Sequence, residues 1–231
     1  MFQLLPIIAT VLALALTVVS TGLLVPLYAW PGIDAWNTIY DSIAAHPSIP
    51  FYLIINPSTG PGDTEYPEEV FITAIAKLNS YSNANDIATY AKWVTYTGKN
   101  IRLSGIFFDE AANGEDPSKL AYFENLSRKS KAWFAAADFI VEYENTYANW
   151  VALAPDQHFS TPGHYEKSAV ILNQTPGDAD VDEVVRLAND MGLGAIYLAS
   201  DDDYMSLSTV PKVAVAFAQS RSARRRGYGQ Y

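Results

Sequence analysis

The chain alternates short apolar runs with amphipathic stretches, and each apolar run stops abruptly at or near a polar residue. The runs are 23–28 (LLVPLY), 51–56 (FYLIIN), 103–109 (LSGIFFD), 139–144 (FIVEYE), 169–173 (AVILN) and 195–199 (AIYLA). Runs this short, apolar at nearly every position, are what strands buried on both faces require. Between them, 34–45, 68–78, 84–94, 117–131 and 180–191 carry apolar residues at helical spacing, with Asp34 placed as an N-cap. Strand followed by helix, repeated, predicts an α/β fold in which a parallel sheet is joined by crossover helices.

The polar residues that end the runs are the candidate site. Parallel strands all point one way, so Asn56, Asp109, Glu110, Glu144, Asn173 and the run Asp201 to Asp203 are gathered at one end of the sheet. In a β/α barrel that end is the functional face. Asp109 and Glu110 directly follow Ile106, Phe107 and Phe108, and a charge set against buried aromatics is costly unless it serves a purpose. Strand alternation puts Asp109 on the side of Phe107 and Glu110 on the other, and puts Glu142 and Glu144 on one side, with Glu144 nearer the strand end. Two carboxyl groups from separate strands are what hydrolysis of a glycosidic bond needs, one to protonate the leaving oxygen and one to act as nucleophile or base. Asp109 and Glu144 are therefore the candidate catalytic pair, with Glu110, Asn56 and Asn173 in support. Tyr28, Trp30 and Tyr147 lie near strand ends, where rings stack on sugar faces. Asp201 to Asp203 read as a turn, lacking the spacing of a calcium loop.

Other chemistries find little footing. There is no cysteine, so disulfides and thiolate chemistry are excluded. His46, His158 and His164 show no metal-ligand spacing, and neither a G-x-S-x-G elbow nor a dinucleotide fingerprint occurs, so no metal or cofactor is expected. Formal net charge is −10, although Arg221, Arg224, Arg225 and Arg226 crowd the last residues. So acidic a body repels phosphate backbones and excludes nucleic acid as a partner. The basic stretch 216–231 reads as a flexible tail. Residues 1–22 read as a signal peptide, too short in their apolar core to span a bilayer, leaving 23–215 as the folded domain of a secreted monomer.

Several segments together resemble the spherulation-specific family 4 proteins: LLVPLYAWPG (23–32), HPSIPFYLIINPSTGPG (46–62), TAIAKLN (73–79), SGIFFDEA (104–111), FIVEYENTYANW (139–150), KSAVILNQTP (167–176) and GAIYLASDD (194–202). That family is similar to glycoside hydrolase family 135, which implies a (β/α)8 TIM-barrel-like fold and hydrolysis of an α-1,4-linked galactosamine-containing polysaccharide, with no cofactor. The resemblance matches Asp109 and Glu144 to the family's active-site carboxylates. It also implies a shortened barrel, with strands three and five missing or altered: Asn79 passes through SYSNAND into Ile87, and Lys131 runs through WFAAAD into Phe139. An active-site asparagine expected after strand five is lost with it. The alternative to a hydrolase is a non-catalytic wall or spore-associated protein that keeps the sugar cleft.

Overall fold

The computed structural model describes residues 21–57, 64, 66–81, 84–88, 93, 96–102, 107, 139–153, 159 and 164–227. The described strands are β1 (Gly22–Leu27), β2 (Phe51–Ile55), β3 (Ala84–Ala88), β4 (Ile140–Thr146), β5 (Ser168–Asn173) and β6 (Ala195–Leu198). The described helices are α1 (Asn37–Ala45), α2 (Glu69–Leu78), α3 (Tyr147–Ala152), α4 (Val181–Met191) and α5 (Val210–Gly227). The strands make one parallel sheet in the order β3-β2-β1-β6-β5-β4. The last described strand thus pairs with the first, and every other neighbour is consecutive in the chain. A doubly wound open sheet runs outward in both directions from its first strand, and this order differs from that pattern.

The sheet is strongly curled. Tyr52 on β2 and Phe139 at the start of β4 are separated by β1, β6 and β5, which at about 4.8 Å per strand puts them about 19 Å apart in a flat sheet. Their rings instead meet edge to face at 4.4 Å. Parallel partners share a face, so the registers Leu24↔Tyr52, Pro26↔Ile54, Ala169↔Ala195 and Glu144↔Ile171 define which side is concave. Gly22, Leu24, Pro26, Tyr52, Ile54, Val141, Glu144, Ala169, Ile171, Asn173, Ala195 and Tyr197 face inward. Leu23, Val25, Leu27, Phe51, Leu53, Ile55, Val170, Leu172, Ile196 and Leu198 face the helices, and all of these are buried.

Two glycines make room for close approaches along the sheet. A Cβ on Gly22 would lie 2.4 Å from the Tyr52 ring, and one on Gly194 would lie 2.4 Å from the Glu166 carbonyl and 2.7 Å from the Phe139 ring. Backbone cannot retreat as a flexible side chain can, so Gly194→Ala is expected to destabilise the fold by about 1–3 kcal/mol, the usual cost of overpacking. A urea titration checks this, and an unchanged midpoint would contradict the close packing described.

Among the helices, α4 follows its sequence signals most closely. Asp180 accepts from the Glu183 amide at 3.0 Å and Gly192 ends the helix in the left-handed region at φ 73. Arg186 adds exposed ion pairs to Glu183 and Asp190. Four expectations are corrected. Asp34 does not cap α1: it sits at φ 68, its carboxylate bonds the Asn37 side chain, and the helix starts at Asn37. Within the stretch read as helix at 84–94, residues Ala84–Ala88 are a strand, because pairing along the free edge of β2 outweighs a weak helical period. A strand therefore follows α2, where one was expected to be missing or altered. The basic stretch from 216 is no flexible tail up to Gly227; it continues α5, whose Val213, Ala214 and Phe217 are buried where α5 packs on α4 and α1. Arg221 there donates to the carbonyls of Ser48 and, at 3.1 Å, Thr21. Finally, β1 begins at Gly22 with Thr21 already buried, so the folded body overlaps the last two residues of the stretch 1–22 read as a signal peptide.

Candidate functional site

The concave face gathers polar residues at the C-terminal ends of its strands. Alternation from Tyr52 and Ile54 carries Asn56 to this face, and that from Leu24 and Pro26 carries Tyr28. Both are half-buried. Glu144 lies exposed on β4, one strand from Asn173 at the end of β5, where Thr146↔Asn173 is the last pair of the ladder. The Asn173 side-chain oxygen is buried without a hydrogen-bond partner among the described residues. Asp109 and Glu110, and with them most of the run 103–109, lie outside the described residues. Phe107 is described, and packs partly buried against the core.

Glu144 faces inward through a break in alternation. The register passes directly from Val141↔Ala169 to Tyr143↔Val170, leaving Glu142 as the extra residue of a β-bulge. Tyr143 consequently turns toward the helices, its ring 5.3 Å from Trp150, and burial raises its phenol above the usual range. Glu142 turns with it and accepts from the Ser168 hydroxyl. The expectation that Glu142 and Glu144 share a face is therefore corrected: the bulge sends them to opposite faces and leaves Glu144 as the inward carboxylate.

Glu144 Oε1 accepts a hydrogen bond from the Tyr204 hydroxyl at 2.5 Å. Tyr204 belongs to the loop after β6, and its ring lies 6.3 Å from that of Tyr197. The Tyr197 phenol is pushed well above its ordinary range, first by burial and then by the neighbouring Asp201 and Tyr204. Sequence reasoning had passed over Tyr204; a lone aromatic in a polar loop immediately after a strand end is the signal that marks it.

The expected sugar-facing aromatics divide. Trp30 stands 49% exposed on the loop after β1, and its ring meets that of Phe71 in a T-shaped contact at 5.0 Å. Tyr28 is half-buried against the core beneath that loop. The Tyr147 hydroxyl accepts from the Asp180 amide at 3.2 Å, tying α3 to the start of α4. The loop carrying Tyr28 and Trp30 is fastened by buried Trp36, whose indole N–H donates to the Ala29 carbonyl at 2.8 Å. An exposed carboxylate with one oxygen held by a phenol, on a concave face that also carries Asn56 and Asn173, can bind a polyhydroxylated ligand and move a proton to or from it. Among the described residues, no helix is long and apolar enough to cross a membrane.

Comparison with known proteins bears on the fold. The family model described as Spherulation-specific family 4 matches residues 22–85 and 84–135. The fold is that of Aspergillus clavatus Sph3, solved in complex with GalNAc: TM-score 0.75 at 22% identity, covering 86% of this chain and 98% of that one. No curated protein sequence matches the chain.

Proposed function

From a chain similar to spherulation-specific family 4 and folded like Sph3, we propose a secreted glycoside hydrolase that cleaves a galactosamine-containing polysaccharide of a cell wall or extracellular matrix. The observation that carries this reading is the inward Glu144 carboxylate, held by Tyr204 at the C-terminal mouth of a curled parallel sheet. Asp109, which the family resemblance matches to an active-site carboxylate, supplies the second carboxyl group, and Glu110, Asn56 and Asn173 support the pair. A separation of about 5 Å between the two carboxyl groups makes the enzyme retaining, and about 6.5–9.5 Å makes it inverting. Trp30 and Tyr28 line the cleft, and Tyr147 braces it from behind. The curled parallel sheet is taken as part of a TIM-like barrel. The leader ends before Thr21, because Thr21 and Gly22 belong to the folded body.

GalNAc in the Sph3 structure supports the substrate class, as does the acidic body, which favours sugars bearing free amino groups over phosphorylated polymers. The short passage from Lys131 to Phe139 favours a second reading, a cleft that binds the polysaccharide without cleaving it. The test is release of reducing ends from deacetylated α-1,4-galactosamine polymer by the chain from Thr21 onward, beside the Asp109→Asn, Glu144→Gln double variant. Turnover lost in the variant supports the hydrolase. Binding without turnover by a cooperatively folded chain overturns it and leaves the binding protein.

A further inference from the structure

We propose that Tyr204 is a positioning residue: the loop 199–209 presents it so that its hydroxyl fixes the Glu144 carboxylate, engaging Oε1 and leaving Oε2 free for substrate. The contact stands on geometry alone; its kinetic consequence rests on the hydrolase reading above. The hydrogen bond reaches from the loop after β6, past β5, to β4. Tyr204 makes it from φ 57, a left-handed conformation that a bulky residue adopts only where its surroundings impose it, and such strain gathers where a side chain must be aimed.

The loop is bonded so as to impose it. Asp201 Oδ2 accepts from the Ser206 amide at 3.1 Å and Asp203 Oδ1 from the Met205 amide at 2.9 Å, bracketing Tyr204 on both sides. The Ser206 hydroxyl bonds that of Ser208 at 2.9 Å, Ser200 and Ser208 meet at 3.2 Å, and the buried Tyr197 hydroxyl donates to the Ser206 carbonyl at 3.4 Å. The aspartate run at 201–203 thus secures the loop backbone on either side of the phenol. An untethered exposed glutamate samples several rotamers, and a misplaced catalytic group costs rate out of proportion to its displacement.

The experiment takes Tyr204→Phe, Glu144→Gln and the double variant of the full chain. Tyr204→Phe is expected to lower kcat about tenfold or more with KM held within about twofold, and the double variant to be no slower than Glu144→Gln, since Tyr204 acts through Glu144. A readout free of turnover comes from 13C NMR of protein labelled at the glutamate side-chain carboxyl. The Glu144 resonance, identified by its loss in Glu144→Gln, is expected to shift in Tyr204→Phe at an unchanged melting temperature. A Glu144 resonance that stays in place overturns the proposal whatever the kinetics, as does a Tyr204→Phe enzyme of full kcat. If the wild-type chain lacks turnover but the resonance moves, the tether is upheld and the hydrolase reading alone is lost.

Discussion

Glu144→Gln is expected to reduce turnover by about 10³-fold or more while leaving the melting temperature within a degree or two of wild type, since acid–base and nucleophilic groups contribute about 10²–10⁴-fold each. The two halves of the expectation have separate physical causes. Glu144 is exposed, so no core contact is lost when it changes. The glutamine amide oxygen can still accept from the Tyr204 hydroxyl, so the tether that orients position 144 survives and only the proton-transfer or nucleophilic capacity goes. Initial rates beside thermal melts measure both. A variant that retains a tenth of wild-type activity would remove Glu144 from the chemistry, and one that unfolds would recast it as structural.

The second large effect is on stability. Trp36 is 2% exposed, its ring lies 6.1 Å from that of Phe71 at 73°, and its indole N–H holds the Ala29 carbonyl at 2.8 Å. Trp36→Ala removes a large buried ring and leaves that carbonyl without its donor, which is expected to cost about 3–5 kcal/mol. At about 2–4 °C per kcal/mol for a chain of this size, the melting temperature falls by about 6–20 °C. Trp36→Phe keeps most of the volume and loses the hydrogen bond, so its expected cost is smaller, about 1–2 kcal/mol. Trp36 fastens the loop that carries Tyr28 and Trp30, so both variants are also expected to weaken polysaccharide binding. Denaturant titrations rank the three proteins, and equal stability of wild type and Trp36→Ala would contradict the packing described.

The parts of the fold legible in the sequence were those fixed by solvation. A run such as Leu23 to Leu27 is apolar at every position because it is covered by helices on one side and by the curled interior on the other, and no amphipathic alternative competes. The helical period over 180–191 was legible for the same reason, and α4 covers Val181–Met191. The bulge at Glu142 was not, since an inserted residue alters pairing without altering composition, and period-two reasoning then assigns every later side chain to the wrong face relative to the earlier ones. Residues 84–88 looked helical because they open a stretch, 84–94, with apolar residues at helical spacing; the open edge of β2, a partner some thirty residues away, made them a strand. The same holds in the site. Glu144 was visible as a carboxylate at a strand end, whereas Tyr204 reaches it only through a contact across sixty residues of sequence. Asn173 ends its strand as read, but that its buried oxygen has no partner among the described residues is a property of packing alone.

The most direct measurement of the central claim is a crystal structure of the Glu144→Gln variant soaked with an α-1,4-linked galactosamine oligosaccharide. The predicted result is a sugar chain lying across the C-terminal ends of the strands, with one residue stacked on Trp30 and a glycosidic oxygen or anomeric carbon within reach of position 144 and Asp109. An oligosaccharide seated elsewhere, or a mouth that stays empty at saturating ligand, would contradict it.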